Sequence, residues 1–214
     1  AEMVRAYSIL ANSENPKEPF FIDKILNRKG DVIYKHLSPS DEENSQDSAD
    51  AFPWFQTEIA DEIKPFFLLP PMSNISDPID PRVTFITKDI LREALTRGSN
   101  ARQVRVLKRD DIAGKTGTTN NAISTWFSGF HNNLASTVWI GTDDFSSLGD
   151  NEFGSSIALP TWVDFMKTAL SKLPYETWKS PEGLSYVRID KETGKPTDQT
   201  SRNAYFELFL DEEY

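Results

Sequence analysis

The sequence predicts a mixed α/β (α+β) fold, an antiparallel sheet flanked by helices. Segments 112–118, 124–130 and 135–141 follow one another at strand length, rich in aromatic and β-branched residues and separated by short polar turns. Apolar residues at helical spacing stand before and after them. At 214 residues and 38% hydrophobic, the chain is long enough for one cored domain or for most of a larger one.

The elements follow in order. Met3, Ala6, Tyr7, Leu10 and Ala11 mark a first helix that ends before residues 12–16. Segments 20–26 and 31–34 read as a hairpin around Asn27-Arg28-Lys29-Gly30, with Gly30 placed for a positive φ. Residues 38–64 carry Asp41, Glu42, Glu43, Asp47, Asp50, Glu58, Asp61 and Glu62, and this acidic, weakly hydrophobic run predicts a loop or insert. Phe52, Trp54 and Phe55 interrupt it and would pin it to the domain. A metal site is the sharper reading of these carboxylates, but they lack a ligand-loop spacing and have no glycine among them. Residues 65–71 form a proline-bounded connector.

Asp80-Pro81 opens the next helix, as an N-cap carboxylate followed by proline at the first helical position. Its predicted apolar face is Ile86, Ile90, Leu91, Ala94 and Leu95, and Gly98 stops it. A loop over 98–103 leads to the three strands. His131-Asn132-Asn133 joins the last two strands as a turn, and His131, like His36, reads as a solvated histidine rather than a general base. Leu159, Trp162, Val163, Met166, Ala169, Leu170 and Leu173 form a helix that packs on the sheet, with Ser155 or Ser156 as its cap and Pro160 in its first turns. Residues 186–190 and a turn at 193–196 begin a terminal strand pair over 186–214.

Composition narrows the function. Acidic residues number 33 against 23 basic, a net charge of −10, which argues against a nucleic-acid partner. The absence of cysteine excludes disulfides, thiolate chemistry and zinc fingers. No run of about 18 apolar residues is present to span a membrane. The chain opens on Ala1-Glu2-Met3 inside a helix with no signal peptide, so a piece of a longer protein is expected.

Chemistry concentrates in Ile112-Ala113-Gly114-Lys115-Thr116-Gly117-Thr118-Thr119-Asn120. A glycine within a strand is useful where a backbone or ligand must come close. Gly117 beside Lys115 and Thr116 therefore suggests a strand edge open to a ligand. An ammonium and hydroxyls there suit a carboxylate. The plain alternative is a turn after a strand. A phosphate-binding loop is not indicated: it needs Gly-x-x-x-x-Gly-Lys-Ser/Thr, and Arg109 stands where its first glycine would fall.

Residues 114–120, then Trp126-Phe127-Ser128-Gly129-Phe130, then Val138-Trp139-Ile140-Gly141 with Asp143-Asp144, resemble the end of the transpeptidase domain of class A penicillin-binding proteins of the 1A type. The resemblance runs from residue 2 to about residue 206, apart from the acidic insert. Of the family's motifs Ser-x-x-Lys, Ser-Asp-Asn and Lys-Thr-Gly, only the third is here. Ser13-Glu14-Asn15 is read as ordinary turn residues, and no serine has a lysine three positions on. Two departures stand out. Gly98-Ser99-Asn100 replaces the family's Gly-Thr-Gly. Ser124 stands where the family has Asp, so the loop after the motif is expected to be anchored differently.

The resemblance implies the C-terminal portion of a penicillin-binding-protein/serine β-lactamase-like fold. It also implies part of a serine D,D-transpeptidase that cross-links peptidoglycan stem peptides ending in D-Ala-D-Ala and is acylated by β-lactams. Lys115 would be the catalytic cation. Thr116, Gly117, Thr118 and Thr119 would bind substrate, with the Thr118 N–H as half of the oxyanion hole. Strand alternation puts Lys115 and Thr116 on opposite faces, and whether both reach one ligand is open at this point. No metal or cofactor is expected. The implied partners are the stem peptide or its lipid-linked precursor, β-lactams, and an upstream segment of the same protein that carries the nucleophilic serine. A glycosyltransferase domain and a membrane anchor would also lie upstream, placing this part at the periplasmic side of the bacterial inner membrane. The competing readings are a peptide-carboxylate binding module without chemistry, and a D,D-carboxypeptidase or β-lactamase-like hydrolase.

Overall fold

A central strand buried along nearly its whole length and one apolar stripe per helix set the architecture of the chain. It is seen in a computed structural model that describes residues 2–12, 20, 22–35, 79–198 and 203–213. The chain divides into two compact units, Ala1–Lys17 with Pro78–Tyr214, and Glu18–Asp77.

In the smaller unit, strands β1 (Lys24–Leu26) and β2 (Val32–Lys35) pair antiparallel, with Ile25 opposite Tyr34. The Asn27 side chain organises the turn. Its Oδ1 accepts from the N–H groups of Lys29 and Asp31 at 2.8 and 3.0 Å, and Gly30 takes φ +90°. The first strand begins at residue 24 rather than 20, because only the stretch next to the turn finds a partner. The acidic run 38–64, the connector 65–71, His36 and Ser13-Glu14-Asn15 lie outside the described residues.

The larger unit is built from helices α1 (Glu2–Ala11), α2 (Pro81–Thr96), α3 (Ala101–Val104) and α4 (Leu159–Ala169). Its strands are β3 (Ala113–Thr118), β4 (Ser124–His131), β5 (Leu134–Gly141), β6 (Leu184–Asp190) and β7 (Ala204–Leu210). Strands β3, β4 and β5 form one antiparallel sheet in that order, with Thr116 opposite Phe127 and Phe127 opposite Val138. Strands β4 and β5 are joined by Asn132-Asn133 alone, since His131 already pairs with Leu134.

Phe127 and Phe130 lie three apart on β4 and so point to opposite faces. Phe127 meets Trp162 of α4, with ring centroids 4.8 Å apart, in a core with Leu95, Val104, Ile112, Leu159 and Met166. Phe130 meets Tyr7 of α1 at 6.2 Å and stacks on Trp178 at 6.0 Å. The sheet is thus sandwiched, with α4 on one side and α1 on the other. Two strand glycines serve this packing. A Cβ on Gly129 would come within 2.6 Å of the Trp162 ring, and one on Gly114 within 2.8 Å of the Phe127 ring.

Asp80 caps α2 as predicted, its Oδ1 accepting from the Arg82 N–H at 2.8 Å. The apolar face of α2 is a correction: Ile90 is 56% exposed, and the inward stripe is Thr84, Lys88, Leu91 and Leu95. Tertiary contacts choose this stripe. Lys88 is drawn in to donate to the Ala11 carbonyl at 3.1 Å and to lie 4.8 Å from the Trp178 ring centre. Gly98 ends the helix without a left-handed turn, and a Cβ there would fall 2.3 Å from the Ala94 carbonyl oxygen. The predicted loop 98–103 instead contains α3, followed by a 3-10 turn over Arg105–Leu107.

Helix α4 is preceded by a π-helical turn, Gly154–Ala158. Ser156 is therefore not an N-cap residue. It sits inside the first turn, and its hydroxyl accepts from the Phe153 N–H at 2.7 Å. Strands β6 and β7 pair as a separate ribbon, Ile189 opposite Tyr205, with Ile189 and Leu208 buried. Arg82 donates to Glu212 at 2.8 Å and ties the start of α2 to the end of this ribbon.

Candidate active site

β3 is an edge strand: it pairs with β4 on one side and with no strand on the other among the described residues. Its first half is shielded, with Ala113 and Gly114 buried under α2 and β4, while Lys115 and Thr118 are exposed. A cleft of about 300 Å³ runs beside this edge, lined by Ala94, Leu95, Gly98, Ser99 and Asn100 on one wall and by Gly114, Lys115 and Thr116 on the other. A second cleft of about 350 Å³ lies around Arg105, Lys108 and Arg109, away from these strand residues.

Register fixes which groups share a face. Lys115 stands opposite Ser128, on the Phe130 side of the sheet, and Thr116 stands opposite Phe127, on the α4 side. The edge reconciles them. The Lys115 ammonium folds around the strand and donates to the Thr116 carbonyl at 3.2 Å and to the Thr116 hydroxyl at 3.5 Å. An ammonium has three protons, so this arrangement leaves donor capacity facing the cleft.

Thr118 and Thr119 have structural partners. The Thr118 hydroxyl accepts from the Gly154 N–H at 3.0 Å and keeps its own proton for another acceptor. The Thr119 hydroxyl accepts from the Ser124 N–H at 2.8 Å and donates to the Ser124 carbonyl at 3.1 Å. That side chain closes the β3–β4 turn rather than facing the cleft. The turn is braced from a second direction: Ser147 donates to the Asn121 carbonyl at 2.8 Å, and the Leu148 N–H to the Ala122 carbonyl at 2.9 Å. Asn121 and Ala122 take φ of +60° and +50°, a conformation that Ala adopts at a cost of about 1–2 kcal/mol. Position 124 anchors the loop through its main chain, so the turn closes without a carboxylate there.

Two features near the motif were not legible from it. Gly154 lies directly behind β3: a Cβ added there would be 2.6 Å from the Trp126 carbonyl oxygen, 2.8 Å from the Gly117 carbonyl oxygen and 3.2 Å from the Thr116 Cβ. Trp126 stands opposite both Gly117 and Trp139, and the two indoles lie 6.2 Å apart. The hairpin register is the signal that would have paired Trp126 with Gly117. The contact of Gly154 has no local signal.

His131 is a correction. It is fully buried at the end of β4 rather than solvated in a turn. Its Nε2 lies 3.2 Å from both Asp111 Oδ2 and Arg109 Nη2, and its Nδ1 lies 3.3 Å from the Asn133 nitrogen. Burial pushes the imidazole below its ordinary pKa, with Asp111 opposing. Burial would raise Asp111, but hydrogen bonds from Arg109 Nε at 2.7 Å and from the Glu176 N–H at 2.9 Å hold its carboxyl below the usual range. Arg109 also donates to the Leu170 and Leu173 carbonyls at 3.2 and 2.9 Å. This cluster sits at the Ala113 end of the sheet and fastens the tail of α4 to the root of β3. Among the described residues, no group of three or more His, Cys, Asp or Glu side chains gathers to hold a metal, and no helix is long and apolar enough to cross a membrane.

No family model matches the chain. Over 99% of its length the chain is 33% identical to penicillin-binding protein 1A of Pseudomonas aeruginosa. Over 111 residues it is 41% identical to that of Neisseria gonorrhoeae, which takes in 52% of the chain. The crystal structure of penicillin-binding protein 1A from Haemophilus influenzae matches 98% of the chain with a TM-score of 0.67 and 26% identity. The chain spans 28% of the length of the Pseudomonas protein, 14% of the Neisseria protein and 31% of the Haemophilus chain.

Proposed function

We propose that this chain, which belongs with the penicillin-binding proteins 1A, is a C-terminal part of their transpeptidase domain and supplies the substrate-gripping wall of a serine D,D-transpeptidase. The observation that carries the proposal is the exposed Lys115 folded onto Thr116 at an unpaired strand edge, with a cleft alongside.

An extended peptide adds to β3 as a further strand, and main-chain hydrogen bonds set its register. Its terminal carboxylate is drawn to the Lys115 ammonium and to the hydroxyls of Thr116 and Thr118 by charge-assisted hydrogen bonds. A serine from an upstream segment attacks the carbonyl of the penultimate residue. The Thr118 N–H stabilises the oxyanion that forms there, and the terminal D-Ala leaves. A second stem peptide then takes the acyl group, which closes a peptidoglycan cross-link at the periplasmic side of the inner membrane. A β-lactam enters by the same carboxylate grip and stays as an acyl-enzyme. The parent protein also carries a glycosyltransferase domain and a membrane anchor.

Acylation by a labelled penicillin tests the reading. In the full-length protein that carries this segment, Lys115→Ala slows acylation by about 10²-fold or more, the scale for losing one preorganised electrostatic group. An unchanged rate removes Lys115 from the mechanism. Isolated 1–214 forms no adduct, because no serine in it has a lysine three residues on. Stoichiometric labelling of that segment would overturn the assignment of the nucleophile to another part of the protein.

A further inference from the structure

The cleft of about 350 Å³ around Arg105 and Lys108 shares no lining residue with the cleft beside β3, and the proposed reaction does not use it. The sequence around it runs against the charge of the protein. Residues 97–109 carry Arg97, Arg102, Arg105, Lys108 and Arg109 and no acidic residue, in a chain of net charge −10. Ala101 and Val104 are buried and give the cleft an apolar floor. The three cations of the lining are not equivalent. Arg109 is committed to the fold, donating to Asp111 and to the carbonyls of Leu170, Leu173 and Pro174. Arg105 and Lys108 are exposed, and among the described residues neither side chain has a hydrogen bond or ion pair. Asp110, the acidic residue of the lining, accepts from the Tyr175 hydroxyl. Lys108 ends the 3-10 turn in a left-handed conformation, φ +51° and ψ +39°, where glycine is the ordinary choice. The walls are fixed from outside the cleft: Gln103 of α3 donates to the Ser155 carbonyl at 3.0 Å, and Arg109 is clasped by Asp111.

We propose that this cleft binds a phosphate group, free or as the monoester of a small molecule, between Arg105 and Lys108. The proposal does not depend on the transpeptidase reading. Two unpartnered cations line one cleft, so their charges add there. A single carboxylate matches one of them. A phosphate monoester carries a charge of about −1.5 to −2 at pH 7 and three strong acceptor oxygens, and so answers both. The guanidinium offers a planar fork of donors and the ammonium a compact charge, and each makes a charge-assisted hydrogen bond to a phosphate oxygen. Asp110 repels an anion from its own side of the rim and leaves the Arg105–Lys108 side as the place for it. The volume lies near the lower bound of small-molecule sites, roughly 300–1,000 Å³. The organic part of an ester therefore fits over Ala101 and Val104.

Titration calorimetry of the full-length protein tests this, at low ionic strength and about pH 8, above the second phosphate pKa. The probes are inorganic phosphate, glycerol 3-phosphate and succinate. Lys108→Gly and Arg105→Gln should each weaken phosphate binding by about 10-fold, the scale of one charge-assisted hydrogen bond. Glycine suits the left-handed backbone at 108, so the melting temperature of Lys108→Gly holds or rises, and its lost affinity is not lost folding. Arg97→Gln removes the same charge from an exposed residue that pairs with Glu93 outside the cleft, and should leave binding unchanged. Tighter binding of glycerol 3-phosphate than of phosphate assigns the ligand to an ester seated on the apolar floor, and equal binding assigns it to the free anion. The proposal is overturned if the parent protein binds neither phosphate, if binding survives both cleft variants, or if Arg97→Gln weakens it as much. Succinate binding as tight as phosphate overturns it too, since the cleft then reads charge alone.

Discussion

Gly154 offers the most direct test of how the fold holds the candidate site in place. In Gly154→Ala the new methyl would meet the carbonyl oxygens of Trp126 and Gly117 at 2.6 and 2.8 Å and the Thr116 Cβ at 3.2 Å. The first two are main-chain atoms of the sheet and cannot rotate aside, so the π-helical turn and β3 must separate. That movement also strains the hydrogen bond from the Gly154 N–H to Thr118. Overpacking of this kind costs about 1–3 kcal/mol. For a unit of this size each kcal/mol lowers the melting temperature by about 2–4 °C, so a fall on the order of 2–12 °C is expected. The displaced residues are the ones proposed to meet the ligand, and a misplacement of about 1 Å can cost about 10²-fold in rate. Shifts of a few tenths of an ångström should then slow penicillin acylation of the full-length protein by roughly 3- to 10-fold. Thermal unfolding and labelled-penicillin kinetics on the same preparation read both effects. Gly194→Ala is the comparison, since nothing lies within 4 Å of a Cβ there, although its φ of +66° carries some strain; it should leave acylation untouched. If Gly154→Ala melts and acylates like the parent protein, the turn is not what positions β3.

Other expectations concern the buried charges at the far end of the sheet. Asp111→Ala leaves the Arg109 guanidinium and His131 without their shared acceptor and should destabilise the unit by about 3–5 kcal/mol, read by urea denaturation. Acidification should also destabilise it, in two stages. His131 has a folded pKa below its unfolded value, so its contribution is complete above about pH 6.5 and is lost as pH falls toward the folded value. Asp111 is likewise depressed, so its contribution is present above about pH 4 and is lost as pH falls further. Urea midpoints between pH 7.5 and 5 should therefore drop in the parent chain and hold nearly level in His131→Gln; equal slopes would rule out the histidine as their source. Asp80→Ala removes the helix cap and one of the two carboxylate partners of Arg82 and should lower the melting temperature without changing acylation.

Much of the framework was legible because it depends on local rules. The Asp80-Pro81 start, the Gly30 turn, the first helix and the three consecutive strands all follow from capping, positive φ and periodicity. What was not legible depends on partners distant in sequence. Ile90 fits an apolar face by spacing, yet Lys88 takes an inward place because Ala11 and Trp178 offer it a carbonyl and a ring. His131 reads as a turn residue until the register puts it beside Asp111. The glycines divide the same way. A close approach of backbone or ligand was the reason offered for a strand glycine, and at Gly114 and Gly129 what comes close is main chain together with aromatic rings. Relatives of the 1A type bear out the family resemblance of the chain, while the separate hydrogen bonds of Thr118 and Thr119, to Gly154 and Ser124, emerge only from the structure.

The two ends of the central sheet are unequally committed. At one, Arg109, Asp111, His131 and Glu176 interlock with the hairpin asparagines, and Lys88 closes the ring onto α1. At the other, Lys115 and Trp139 are exposed, and Trp126 lies beside Trp139 and opposite Gly117. Variation can therefore accumulate at the proposed ligand edge while the clasp at the opposite end keeps the strands in register. Changes in antibiotic sensitivity that arise in this segment should map to the aromatic end, and losses of expression to the charged one.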